Sequence, residues 1–160
     1  MPPTTNRRVN RMPLGEYCNR EVIVIDGEES VLDAAQLMRQ HHVGDVVVVA
    51  ERHGKRVPIG IVTDRDLVVE VMAPELAPEE LAVRDIVVES PVVLHEDASL
   101  FAALQMMRGH AVRRVPVVGR DGELVGIITV DDVLGLLAEA VGDLAALVER
   151  QPKREAARRP

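Results

Sequence analysis

Apolar and polar positions along the chain change rhythm in a fixed order, and they do so twice. "EVIVI" at 21–25 and "PVVL" at 91–94 are short β-branched runs that predict strands. Val31, Ala34, Ala35, Leu37, Met38 and His41 then fall at helical spacing, with Ser30 placed as the N-cap. "DVVVVA" at 45–50 and "RVPIGIVT" at 56–63 predict a hairpin, as do "RVPVV" at 114–118 and "ELVGIIT" at 123–129 around the turn "GRDG". A second helix is expected from Asp64 to about Met72 in the first unit, and from Val130 to about Glu149 in the second. Each unit therefore reads β-α-β-β-α.

The two units are copies of one another. "SVLDAAQLMRQHHV" at 30–43, set above "SLFAALQMMRGHAV" at 99–112, gives seven identities in fourteen positions, all at an offset of 69. The offset falls to 66 at "GIVTDRDL" and "GIITVDDV", so the first copy carries three more residues in the loop around "ERHGKR". A unit of roughly 60 residues has apolar faces on both its strands and its helices, more than it can bury alone. Two sheets packed face to face make one body, and the fold class expected is α/β (α+β). The boundaries that follow are a flexible basic N-terminal arm at 1–11, the first repeat at 12–72, and a linker at 73–85 with two prolines and several acids. The second repeat with a long C-terminal helix is placed at 86–149, and a charged, disordered tail is expected at 150–160.

Charge and aromatic content narrow the partners. A net charge of −7 and a pI near 5.2 argue against a polyanion, because phosphate-backbone binding needs clustered Lys and Arg. Tyr17 and Phe101 are the only aromatic residues, so the stacking platforms of single-stranded nucleic acid sites are missing and any bound base must lie between aliphatic side chains. The single cysteine, Cys18, excludes an internal disulfide framework and a multi-Cys metal site, fits a reducing compartment, and reads as a small buried hydrophobe. The N-terminus has no apolar signal region and no stretch is long enough to span a membrane, so a soluble, cytoplasmic protein is expected.

The repeat order, together with "GDVVVV…VPIGIVTDRDL" and "VRRVPVVGRDGELVGIITVDDVL", resembles the paired cystathionine beta-synthase (CBS) domain, or Bateman module, over residues 12–140. The resemblance implies two tandem repeats related by pseudo-twofold symmetry with two clefts between them, commonly dimerising into a flat disc. It further implies an adenosine-containing ligand such as AMP, ADP, ATP or S-adenosylmethionine, and a regulatory role toward another protein.

The Gly-h-h-Thr-x-x-Asp segments carry two meanings. Thr63 and Asp66, like Thr129 and Asp132, satisfy a capping-box spacing, which is a purely structural way to start a helix. In the family the Asp accepts hydrogen bonds from both ribose hydroxyls and the Thr lies near the sugar or phosphate; a carboxylate has the acceptor capacity for both bonds. For the phosphate, the helix start at Thr63 offers backbone N–H groups and Arg65. "VRRVPV" supplies Arg113 and Arg114 where the first repeat has Gly44 and Asp45. Basic residues at that strand start resemble the family's phosphate contacts, and the resemblance implies that the Asp66 cleft recruits Arg113 or Arg114. The Asp132 cleft is expected to face Asp45 and Asp131, whose charges repel phosphate, so one nucleotide site and one site that is empty or holds a neutral nucleoside are expected.

His41 and His110 end the first helix of each repeat, where an imidazole suits the negative end of the dipole. His41 and His42 do not share a helix face and are not a metal-ligand pair. Leu134, Leu137, Val141, Leu144 and Val148 form a narrow apolar seam, from which a homodimer is expected. No nucleophile-base pair or phosphate-cradling glycine loop appears, so no enzyme activity and no required cofactor are expected. The leading function is a sensor whose ligand, an adenine nucleotide with AMP or ATP foremost, changes the dimer or its affinity for a regulated protein; the competing one is a ligand-free dimeric scaffold.

Overall fold

A computed structural model of the chain describes residues 12–87 and 91–158, with side chains through Arg150. The chain divides into two compact units, Met1–Ile128 and Thr129–Pro160. The first holds α1 (Leu14–Tyr17), β1 (Val24–Asp26), α2 (Val31–His41), β2 (Asp45–Arg52) and β3 (Lys55–Thr63). After β3 come α3 (Asp64–Asp66), a π-helical turn (Leu67–Met72), a 3-10 turn (Val83–Asp85), β4 (Leu94–His95), α4 (Leu100–His110), β5 (Arg114–Val118) and β6 (Leu124–Thr129, whose last residue opens the second unit). The second unit is otherwise α5 (Val130–Arg158).

Two three-stranded sheets result, in the orders β1-β2-β3 and β4-β5-β6. In each, the first strand runs parallel to the second, Val24 opposite Val47 and Leu94 opposite Val117. β2 is buried on both faces, which is why it reads as an unbroken valine run rather than an alternating one. Val46 and Val48 pack with Ala34 and Met38 of α2, while Val47 and Val49 pack against Ile127 of β6. That second cluster joins the sheets face to face. Pro58 sits in β3, the edge strand of its sheet, beside the register shift that leaves Ile59 without a partner between Val48 and Val49, a setting in which proline is tolerated.

Helix ends follow local rules. Ser30 and Asp33 form a reciprocal capping box on α2; Ser99 caps α4 through the Ala102 N–H alone, since Ala102 stands where the first repeat has Asp33. Both helices end at their histidine, and His110 Nδ1 lies 3.1 Å from the Met106 carbonyl.

The chain departs from the sequence expectation in three places. Residues 21–23 and 91–93 lie ahead of β1 and β4, although the Ile23 carbonyl still accepts a 3.0 Å bond from the Val47 N–H. The helix after β3 holds only three α-helical residues before it widens, with Ala73 N–H donating to Val68 O and Leu76 N–H to Val71 O, each at 2.9 Å. α5 runs to Arg158 rather than ending near Glu149, so residues 150–158, expected as part of a disordered tail, are helical; Arg, Lys, Glu and Ala are strong helix formers and outweigh Pro152. The N-terminal arm lies outside the described residues.

The lead-in of each repeat packs on the other repeat. Leu14 N–H donates to Ala98 O and Gly15 N–H to Glu96 O, both 2.9 Å; Val83 N–H donates to Glu29 O at 2.8 Å and Arg84 N–H to Gly27 O at 3.0 Å. Adding the repeat offset of 69 to 14, 15, 27 and 29 gives 83, 84, 96 and 98, so the two sets of bonds are the same contacts exchanged. The bridges Pro13–Ser99 and Ser30–Ala82 obey the same relation. This is pseudo-twofold symmetry expressed as an exchange of segments.

Candidate functional site

The Thr-x-x-Asp segments form their capping boxes in full. Thr63 N–H and Oγ1 each donate to Asp66 Oδ2 at 2.8 Å, and Asp66 N–H returns a bond to Thr63 Oγ1 at 3.2 Å. Thr129 N–H and Oγ1 donate to Asp132 Oδ2 at 2.8 and 2.7 Å, and Asp132 N–H returns a bond at 3.1 Å. All of the aspartate's capping bonds use one oxygen. Oδ1 is left for other donors.

Asp66 lines a cavity of about 310 Å3 within the first unit. Gly60 and Ile61 of β3 bring one wall, Ile86 and Val87 of the exchanged lead-in another, and Val92 and Val112 the rest. Arg114, the first residue of β5, reaches the same cavity. The site therefore sets a half-buried carboxylate and a guanidinium among aliphatic side chains, with no aromatic ring present. The aliphatic wall residues 86, 87, 92 and 112 escaped the sequence reading as site residues: 91–93 read as strand, and only the exchange of lead-ins brings Val87 against Gly60.

Gly60 is where that approach happens. A Cβ there would run into the Val87 side chain, so the lead-in crosses β3 only because the position has none. Gly126 does the same for the other lead-in, its would-be Cβ falling 2.6 Å from Cys18 Sγ and 2.7 Å from the Asn19 carbonyl. Asn19 and Ile127 exchange backbone bonds of 2.8 and 2.9 Å at this crossing. Cys18 is buried there, and burial pushes its thiol pKa up against the pull of Arg20, as suits a packing residue rather than a nucleophile.

Of the three arginines considered for a phosphate, Arg114 lines the Asp66 cavity, whereas Arg65 and Arg113 are exposed. Asp45 forms an ion pair with Arg114 Nη1. Burial raises the Asp45 pKa, Arg114 opposes that rise, and Asp64 adds to it. A larger cavity of about 670 Å3 is bordered by Arg52, Ile59, Arg84 and Val87, but none of the sequence candidates reaches it and Arg84 is engaged by Glu28 and Asp85. Thr129 and Asp132 belong to the second unit. Among the described residues no cluster of His, Cys, Asp and Glu is arranged to hold a metal ion.

The sequence profile of the CBS domain matches residues 14–73 and 83–139. An uncharacterized protein of Methanopyrus kandleri is 36% identical over 141 residues, spanning 88% of this chain and 68% of its own length. An inosine-5'-monophosphate dehydrogenase of Korarchaeum cryptofilum is 32% identical over 114 residues, which cover 71% of this chain but 22% of that enzyme. Among solved structures, a CBS domain protein of Pyrobaculum aerophilum complexed with AMP superposes with a TM-score of 0.67 at 26% identity, covering 76% of this chain and 89% of that one.

Proposed function

The chain belongs to the CBS domain family, and on that premise we propose that it is a regulatory module that binds an adenosine-containing ligand at the Asp66 cavity. One observation carries this reading: a ribose-competent carboxylate and a phosphate-competent guanidinium meet in a cavity with aliphatic walls. Asp66 Oδ1 accepts from the ribose hydroxyls while Oδ2 keeps the cap. Val87, Val92 and Ile61 hold the base, and Arg114 takes the phosphate. AMP bound to the Pyrobaculum relative supports this ligand class. AMP or ATP is the ligand proposed, as a regulatory signal and not as a cofactor.

The module binds and does not catalyse: the dehydrogenase resembles this chain over only a fifth of its own length. No helix among the described residues is long and apolar enough to cross a membrane, and a cytoplasmic location is part of the proposal. The output is proposed to pass to a regulated protein through a homodimer. Leu134, Leu137, Val141, Leu144 and Val148 of α5 are all exposed and form the apolar seam a second copy would cover. Light scattering tests the dimer: a dimer mass is expected at micromolar protein, and Leu137→Glu with Leu144→Glu should shift it toward monomer.

Thermal shift tests the ligand. AMP and ATP should each raise the melting temperature, GTP less, with about 2.7 kcal/mol of added stability at 100 times the dissociation constant. Equal shifts with every nucleotide would indicate a general phosphate effect. No shift with any would favour the second reading, a ligand-free dimeric scaffold, which the caps already complete without ligand support.

A further inference from the structure

Positions 45 and 114 differ by the repeat offset of 69, so they are equivalent residues of the two copies. Equivalent positions that touch each other must straddle the pseudo-twofold axis. On that axis a difference between the copies becomes a contact, and here it is an acid meeting a base, Asp45 against Arg114. The guanidinium available to the Asp66 cavity is thus already neutralised by a protein carboxylate.

We propose that Asp45 is a built-in anion that competes with the ligand's phosphate for Arg114 and so sets how strongly the cavity distinguishes adenosine nucleotides from neutral adenosine compounds. This rests on the adenosine reading above and adds to it a residue that reads ligand charge. A neutral nucleoside fills the aliphatic walls and reaches Asp66 with the pair intact. A nucleotide gains Arg114 only by displacing Asp45, and the displaced carboxylate then faces both the phosphate and the nearby Asp64. Burial and Asp64 both oppose charge on Asp45, which leaves Arg114 as the countercharge that holds it. The pair is partly buried, 30% of the arginine side chain and 23% of the aspartate side chain remaining exposed, and Arg114 lines the same cavity as Asp66.

Titration calorimetry with adenosine and AMP on the wild-type chain and on Asp45→Asn tests this. The amide keeps the carboxylate's shape but offers no anion. AMP should bind Asp45→Asn about tenfold or more tightly than wild type, the worth of one freed charge-assisted bond, while adenosine changes less than about twofold. In Asp45→Asn with Arg114→Gln that gain should vanish. Asp45→Ser serves in the same role should the amide variant fail to fold. Equal changes for adenosine and AMP, or none for either, would overturn the competition while leaving the adenosine reading standing. Absence of binding by both ligands to every variant would overturn both.

Discussion

The junction of β3 with α3 and that of β6 with α5 use the same four-residue device, with bond lengths that agree within 0.1 Å, yet lead to different structures. One holds three α-helical residues before it widens into a π-helical turn; the other starts a helix of 29 residues. The capping box therefore starts a helix without deciding its length or its use. What differs is the neighbourhood: Asp66 shares a cavity with Arg114, and Arg65 precedes it, whereas Asp132 follows Asp131. On the proposed reading, a motif complete as structure acquires ligand chemistry only from residues elsewhere in the chain.

The largest effect expected comes from separating those two roles. Asp66→Ala should remove most of the AMP-induced rise in melting temperature, while Asp132→Ala keeps most of it. Both should lower the ligand-free stability by about 0.5 to 2 kcal/mol through loss of a cap, so the ligand-induced shift is the quantity to compare. Loss of the shift in Asp132→Ala alone would reverse the assignment of the two junctions.

Next in size is the comparison of the two crossing glycines. Gly126→Ala meets a backbone carbonyl and a buried sulfur, neither of which moves cheaply, and should cost about 1 to 3 kcal/mol in chemical denaturation. Gly60→Ala meets only the Val87 side chain, which borders the Asp66 cavity. It should destabilise less and weaken AMP binding more, and the opposite ranking would break the proposed link between the lead-in and the site.

The smallest effect is expected at the hairpin tips. Lys55 and Asp121 pair across the two repeats, and the pair lowers the Asp121 pKa and raises that of Lys55. Both side chains stand in water, where screening and side-chain entropy cancel most of the attraction. Asp121→Asn should leave the melting temperature unchanged within the scatter of replicate scans at 0.15 M salt.

Much of the fold was legible in sequence because its signals are local. The duplicated β-α-β-β-α order, the serine caps, the histidines at the helix ends and the reciprocal Thr-Asp bonds each depend on residues no more than a few positions apart, where side-chain type and spacing fix the outcome. Even the aliphatic character of any binding wall followed from a chain with two aromatic residues. Tertiary structure decided the rest. Val92 became a cavity wall instead of a strand residue, Val87 was carried across Gly60, and Arg114 met Asp45, because the lead-ins exchange between repeats and bring together residues up to 108 positions apart. Spacing along a chain carries no record of which copy a segment will pack on; that choice is made by the apolar faces that each repeat cannot bury alone, and it is there that two nearly equal halves become different.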